Sequence, residues 1–177
     1  MLMKMHESKW FFPLLLVSSL LIILLTGFFS PAESNSGQAL PRVGFSAPNF
    51  SLPDSENQIV TLQDFRGSVI ILNFWASWCP PCRAEMPAFQ RVFDSHKEDG
   101  LVVIGVNTTY QDDVQEARQF AIERGVQFPV LYDLDNSASR DYLIQALPTT
   151  FFIDHRGVIR KVIYGGPLTE VFFESRG

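Results

Sequence analysis

Residues 68–82 have the sequence SVIILNFWASWCPPC, and this stretch decides the fold. The nine residues from Ser68 to Ala76 are almost all apolar, which is typical of a strand covered on both faces of a sheet. Pro80 and Pro81 suit the first turn of a helix, where a missing N–H has no intrahelical partner to lose. The stretch therefore predicts a buried strand that passes directly into a helix, with a Cys-x-x-Cys motif at the junction.

This junction gives the two cysteines different environments. Cys79 falls at the helix N-terminus, where unpaired N–H groups and the helix dipole favour an anionic sulfur. Cys82 falls in the first turn, and the two-residue spacing lets its sulfur close a small ring with Cys79. Cys82 should be the more buried and less acidic thiol. The sequence predicts a redox-active disulfide in which Cys79 is the nucleophile and Cys82 the resolving thiol.

Three other roles for the cysteine pair stay open. A structural disulfide is one, although so short a loop removes little entropy from the unfolded chain. Two unpaired core cysteines are the second, although two prolines between them would then be accidental. A zinc site is the third, but it needs about four ligands. The remaining candidates are His6, His96 and His155, and none is near the motif in sequence. We expect neither a metal nor a cofactor.

Alternating strands and helices continue on both sides of the motif. This order indicates an α/β layer fold with a mostly parallel centre and an antiparallel edge. The predicted strands are Asn49–Leu52, Ile59–Leu62, Ser68–Ala76, Leu101–Val106, Val130–Tyr132, Thr150–Asp154 and Val158–Tyr164. The predicted helices are residues 80–98, Asp112–Arg124, Ser137–Ile144 and a short Leu168–Ser175.

Composition excludes several classes of protein. The 177 residues contain two cysteines, 46% hydrophobic and 19% charged residues, which excludes a disulfide-stapled mini-protein and a disordered chain. After residue 40 there are 12 basic and 17 acidic side chains, the whole net charge of −5. That part has no basic face for nucleic-acid phosphates. Its 137 residues suit one domain with a sizeable core.

The N-terminal segment is predicted to be a membrane anchor. Trp10–Phe29 is twenty residues without a charge, which as a helix spans roughly 30 Å, the thickness of the hydrocarbon core. A cleaved signal peptide is the alternative. Lys4 and Lys9 favour a cytoplasmic location for residues 1–9. Residues 30–41 are then a linker, and residues 42–177 a domain on the extracytoplasmic side of the cell membrane.

The segments NFWASWCPPCRAEMPAF and LPTTFFID, with a later GG, resemble the membrane-tethered thioredoxin-like thiol-disulfide oxidoreductases of the TlpA/ResA type. The resemblance extends over roughly residues 43–172. It implies a thioredoxin-like fold with an added N-terminal β-hairpin. It also implies disulfide exchange with protein substrates, often reduction of apocytochrome c, and re-reduction by a membrane electron donor.

The same resemblance implies roles for residues around the cysteines. It matches Leu147-Pro148-Thr149 to a cis-proline loop that faces the Cys-x-x-Cys motif and pairs with an extended substrate strand. The residues predicted to contact substrate are Trp78, Pro80, Pro81, Leu147, Pro148 and Thr149.

Glu85 is the third predicted catalytic residue. In the family the matching glutamate lies beside the thiols and tunes their proton transfers, whereas thioredoxin has a buried aspartate where this chain has Asn73. An amide cannot act as a base, so Glu85 is the nearest carboxylate available. The alternative is an ordinary solvated glutamate in the first helical turn.

The chain departs from the family pattern between the cysteines, and two other functions are alternatives to disulfide exchange. Neither Pro80 nor Pro81 has an N–H to offer the Cys79 thiolate. A peroxidase of the peroxiredoxin kind expects Pro and Thr or Ser seven and three residues before the cysteine, where this chain has Leu72 and Ala76. A tethered binding module with an incidental disulfide is the non-enzymatic alternative. The sequence predicts a reductant, with an oxidase as the alternative, since a few hydrogen bonds set the potential.

Overall fold

A computed structural model describes residues 39–169 and 172–173 of the chain. The strands are β1 Ser51–Pro53, β2 Ile59–Thr61, β3 Val69–Trp75, β4 Leu101–Asn107, β5 Val130–Tyr132, β6 Thr149–Ile153 and β7 Ile159–Tyr164. The helices are α1 Pro80–His96, α2 Val114–Glu123 and α3 Ser137–Asp141. Short 3₁₀ turns occupy Leu62–Phe65, Lys97–Asp99 and Thr109–Gln111.

Five strands form the central sheet in the order β5-β4-β3-β6-β7. β3 pairs in parallel with β4, and β4 with β5. β6 is antiparallel to both β3 and β7. The parallel centre and antiparallel edge confirm the predicted α/β class. β1 and β2 form a separate antiparallel hairpin before β3, in which Leu52 pairs with Val60.

β3 is buried on both faces, as its apolar sequence predicts. Leu72 and Phe74 pack into the cluster that covers one face of the sheet. Ile71 and Trp75 pack into the cluster on the other face, which also contains the α1 residue Phe89. Successive strand residues point to opposite faces, so one apolar run supplies both layers of the core. β3 ends at Trp75, between these two clusters, and the cysteine motif follows.

Most helix boundaries differ from the prediction by a few residues. The helix expected from Asp112 begins at Val114, because Asp113 caps it by accepting hydrogen bonds from two backbone N–H groups. The helix expected over Ser137–Ile144 ends at Asp141. Leu143, just beyond that end, has φ of 51°, which is incompatible with a continued right-handed helix.

The first hairpin strand was also misplaced. The structure has β1 at Ser51–Pro53 instead of Asn49–Leu52. Phe50 lies outside the ladder but still accepts a backbone hydrogen bond from Leu62. The prediction followed apolar character, whereas the pairing with β2 decides where the strand lies.

Residues 39–169 and 172–173 contain no helix of the length and apolar character needed to cross a bilayer. The predicted anchor Trp10–Phe29, residues 1–9 and most of the predicted linker lie outside the described residues. The predicted Leu168–Ser175 helix is only partly described, with Phe172 and Phe173 in helical conformation.

Candidate active site

The disulfide lies where β3 gives way to α1. Cys79 is the N-cap of α1, and its Sγ is bonded to Cys82 Sγ. The Cys82 N–H donates a hydrogen bond of 3.3 Å to Cys79 Sγ, as expected of an N-cap acceptor. Cys79 keeps 3% of its accessible surface and Cys82 none. The order of exposure agrees with the prediction, although both sulfurs are more buried than a helix terminus alone suggests.

Trp78, the residue directly before Cys79, is exposed. Its side chain is 55% exposed, and its indole N–H donates to the Gln111 carbonyl at 3.0 Å. A groove of about 280 Å³ runs beside it, and we call this the Trp78 groove. Its lining residues are Trp78, Tyr110, Gln111, Ile144, Gln145, Ala146 and Leu147. Tyr110 was missed from sequence, because its position next to Trp78 depends on how the loop after β4 folds back.

The Leu147–Pro148 peptide bond is cis, as the resemblance implied. Leu147 lines the Trp78 groove, whereas Pro148 is buried. Thr149 is fully buried, and its hydroxyl donates to the Ala146 carbonyl at 2.7 Å. The side chain of Thr149 therefore supports the loop from within, and the substrate contact predicted for this loop is one of its backbone.

Glu85 is fully buried on the helix that begins at Cys79. Asn73 Nδ2 donates to its Oε1 at 2.8 Å, and the Leu168 N–H donates to its Oε2 at 3.0 Å. Asn73 Nδ2 also donates to Thr150 Oγ1 at 3.0 Å. The solvated first-turn glutamate considered above is therefore excluded by burial. Neither Thr150 nor Leu168 could be found from sequence, since both are distant along the chain.

Burial makes Glu85 a proton-holding group near neutral pH. Desolvation raises the pKa of Glu85 to about 7, and the hydrogen bonds from Leu168 and Asn73 oppose this rise only in part. The raised pKa means that both protonation states are accessible under physiological conditions.

Gly166 lies against both Glu85 and Pro148. A Cβ at this position would lie 2.7 Å from Glu85 Oε2 and 2.8 Å from Pro148 Cγ, closer than atoms tolerate. Gly165 precedes it with φ of 81°, and its N–H donates to the Pro148 carbonyl at 2.7 Å. The two glycines noted in the sequence thus let the chain pass close to Glu85 and Pro148.

The zinc alternative gains no support from the described part of the chain. Residues 39–169 and 172–173 contain no group of three His, Cys, Asp or Glu side chains placed to share a metal ion. The imidazole of His96 contacts Asp99 at the far end of α1.

Comparison with known proteins agrees with the geometry. The model of the AhpC/TSA family matches residues 43–162. The chain belongs to this family. It is 33% identical to the thiol-disulfide oxidoreductase ResA of Geobacillus thermodenitrificans, over 82% of this chain and 83% of that protein. It is also 33% identical to the thioredoxin-like protein YneN of Bacillus subtilis, over 96% of each chain.

A solved structure supports the same assignment. The thiol:disulfide interchange protein of the thioredoxin family from Chlorobium tepidum superposes with a TM-score of 0.64 and is 28% identical, covering 73% of this chain and 91% of that one. The predicted thioredoxin-like fold and membership among thiol-disulfide oxidoreductases are therefore confirmed. The chain is an enzyme of thiol-disulfide exchange.

Proposed function

We propose that this protein reduces disulfide bonds of extracytoplasmic proteins, with Cys79 as the attacking sulfur and Cys82 as the resolving one. The observation that carries the proposal is the disulfide at the N-terminus of α1, directly after the groove residue Trp78 and on the same helix as a buried carboxylate. Cys79 is the cysteine with residual exposure, so its sulfur is proposed as the one that a substrate sulfur approaches.

The proposed reaction has two exchange steps. The Cys79 thiolate attacks one sulfur of the substrate disulfide, whose S–S bond breaks, and the released substrate thiolate takes up a proton. Cys82 then loses its proton and attacks Cys79 Sγ, which frees the second substrate sulfur as a thiol. The substrate gains two electrons and two protons, and the enzyme is left as the Cys79–Cys82 disulfide. A dithiol donor at the membrane must then reduce the enzyme again.

Glu85 is proposed to accept the proton that Cys82 loses in the second step. Cys82 is fully buried, so its proton passes most directly to a base within the protein. Glu85 lies one helical turn from Cys82, and its pKa of about 7 lets it take up and release a proton near neutral pH. Asn73, in the middle of β3, holds Glu85 Oε1 and has no titratable proton of its own.

The Cys79 sulfur lies at a helix N-terminus but has few hydrogen-bond donors around it, and this shortage of donors favours reduction over oxidation. A strongly oxidising protein owes its potential to a stabilised reduced form. Here Pro80 and Pro81 have no N–H, and within residues 39–169 the only hydrogen bond to Cys79 Sγ comes from Cys82. A redox titration against glutathione should give a potential nearer the roughly −270 mV of thioredoxin than the roughly −120 mV of a strong oxidant. A value near the latter would show an oxidase.

Trapping of substrates tests the division of roles. Cys82→Ser removes the resolving thiol, so mixed disulfides with substrate proteins should accumulate through Cys79. Cys79→Ser should trap no partner, although it removes the same number of thiols. Equal trapping by the two variants would contradict the assignment. Apocytochrome c is the proposed physiological substrate, and its disulfide should be among those reduced by the wild-type enzyme.

The cellular location is proposed from the N-terminal sequence. Trp10–Phe29 anchors the chain, and residues 42–177 lie on the extracytoplasmic side. Protease added to intact cells should digest this domain while a cytoplasmic marker protein survives. Protection of the domain until the cells are lysed would refute the orientation.

A peroxidase reaction is disfavoured by the neighbours of the sulfur. Leu72 and Ala76 occupy the positions where that reaction expects proline and a hydroxyl residue, and both are fully buried. Neither offers a hydrogen bond to a peroxide. The reduced enzyme should consume hydrogen peroxide no faster than an ordinary exposed thiol does, and rapid consumption would favour the peroxidase instead.

A further inference from the structure

A carboxylate outside the cysteine motif holds the loop on which Cys79 is carried. Asp112 lies between the 3₁₀ turn after β4 and helix α2. Its Oδ2 accepts hydrogen bonds from the Ser77 N–H at 2.6 Å and from Asn107 Nδ2 at 2.7 Å. Its Oδ1 accepts from the Ser77 hydroxyl at 2.6 Å and from the Asp113 N–H at 2.9 Å. Four donors thus converge on one side chain.

Ser77 is fixed at every polar group it has. Asp112 holds its N–H and its hydroxyl, and the Arg83 Nη1 donates to its carbonyl at 3.0 Å. The residue is 4% exposed and lies two positions before Cys79. The next residue, Trp78, donates its indole N–H to the carbonyl of Gln111, beside Asp112. Two of the three residues that connect β3 to Cys79 are therefore tied to the loop after β4.

Ser77 and Trp78 need such support because they belong to neither β3 nor α1. Loop residues have no ladder of backbone hydrogen bonds to hold them. Hydrogen bonds to a carboxylate are stronger than bonds between neutral groups, so Asp112 compensates for the missing ladder. The partners Asn107 and Thr109 orient it in turn: Asn107 is fully buried, and its Oδ1 accepts from the Thr109 hydroxyl at 2.7 Å.

We infer that Asp112 is a positioning residue for disulfide exchange. By fixing Ser77 it holds Cys79 where its sulfur can attack along the axis of the substrate S–S bond. Exchange depends on that alignment, and a displacement of about 1 Å can slow a reaction on the order of a hundredfold. The inference rests on the proposed role of Cys79 as the attacking sulfur, and it adds a residue that the cysteine motif does not contain.

Asp112→Asn tests this role with little change of shape. The amide keeps one acceptor, and in either orientation its NH₂ group faces at least one donor: the Ser77 N–H and Asn107 Nδ2 in one orientation, and the Asp113 N–H in the other. The matched control is Asp113→Asn. It removes the same charge one residue further on and can keep the cap of α2, because asparagine is as good an N-cap as aspartate, and Asp113 makes no side-chain hydrogen bond with Ser77.

The assay follows reduced enzyme reacting with oxidised glutathione and with insulin, each over a range of pH. For Asp112→Asn we expect the limiting rate at high pH, where Cys79 is fully ionised, to fall about tenfold or more with both disulfides. The midpoint of the pH profile should stay in place, and Asp113→Asn should match the wild type. Wild-type turnover of insulin separately tests the proposed function.

Three results would overturn the inference. A shift of the pH midpoint that accounts for the whole rate change would mean that Asp112 acts by its charge. Slowing with insulin alone would mean that it shapes the docking surface. An unchanged rate in a folded Asp112→Asn protein would mean that it does neither. If Asp112→Asn does not unfold cooperatively, the test uses Ser77→Ala instead. This variant keeps the hydrogen bond from the residue 77 N–H to Asp112 but loses the one from the hydroxyl, so exchange should slow by a smaller factor with both disulfides. Wild-type rates in Ser77→Ala would refute the role.

Discussion

Glu85→Gln should change the way in which the stability of the folded domain depends on pH. In the unfolded chain the carboxyl titrates near 4.5, whereas burial raises its pKa to about 7 in the folded protein. Between these values the folded state holds a proton that the unfolded state has lost. Stability therefore falls as pH rises through this window and is level above it. This direction is opposite to that of an ion-paired carboxylate, whose stabilising effect disappears in acid.

The magnitude follows from the same two values. At about 1.4 kcal/mol per pH unit, the interval from 4.5 to about 7 corresponds to a loss of about 3 kcal/mol of unfolding free energy. Glu85 is fully buried, so solvent screening does not reduce the effect much. A glutamine is neutral at every pH and lacks the slope. The glutamine Oε1 can accept the hydrogen bond from the Leu168 N–H. The glutamine NH₂ can donate to Asn73 Oδ1 once the Asn73 amide is turned over, because this oxygen has no other partner among the described residues.

The measurement is denaturant unfolding of the oxidised protein at intervals from pH 4.5 to 8.5. Keeping the disulfide closed removes thiol ionisation from the comparison. We expect wild type and variant to have similar stabilities near pH 4.5, with the variant gaining by up to about 3 kcal/mol above pH 7. Glu98→Gln is the control for net charge, because Glu98 is exposed in the folded state. If the unfolding free energies of wild type and Glu85→Gln change in parallel between pH 4.5 and 7, the raised pKa of Glu85 is refuted.

Three further predictions concern the site and its support. Glu85→Gln should also slow the second exchange step near pH 7 about 10²-fold, the lower range for a lost acid–base group, and a single-turnover release of substrate thiol at wild-type rate would contradict the relay. Gly166→Ala should destabilise the domain by about 1–3 kcal/mol and slow exchange, because its Cβ would meet Glu85 and Pro148. The control is Gly100→Ala, which should leave exchange rates unchanged, because Gly100 has a left-handed φ of 83° but open space around it. Tyr142→Phe should lower the unfolding free energy by about 1–3 kcal/mol without changing exchange rates, because the Pro48 carbonyl loses its 2.7 Å hydrogen bond from the buried hydroxyl. An unaltered denaturation midpoint would show that this hydrogen bond does not stabilise the fold.

The order of strands and helices and the place of the cysteine pair follow from the sequence alone. Leu72 and Phe74 are apolar because β3 is covered on both faces of the sheet. The residue type alone indicates this burial, without knowledge of the contacts. The same holds for Pro80 and Pro81 in the first turn of α1. Burial pattern and helix-start chemistry are local, so they can be identified before any contact is known.

The partners of these residues were decided only by the tertiary structure. Glu85 looks like a first-turn glutamate until the chain returns and brings Leu168, 83 residues away, to its second oxygen. Asp112 resembles the first residue of a helix until Ser77, 35 residues earlier, is found on both of its oxygens. A hydrogen bond across such separations depends on how the whole sheet and its loops pack, and local sequence preferences contain no information about that. The cysteines could therefore be predicted from the sequence, whereas the environment of the site depends on chain segments that meet only in the folded protein.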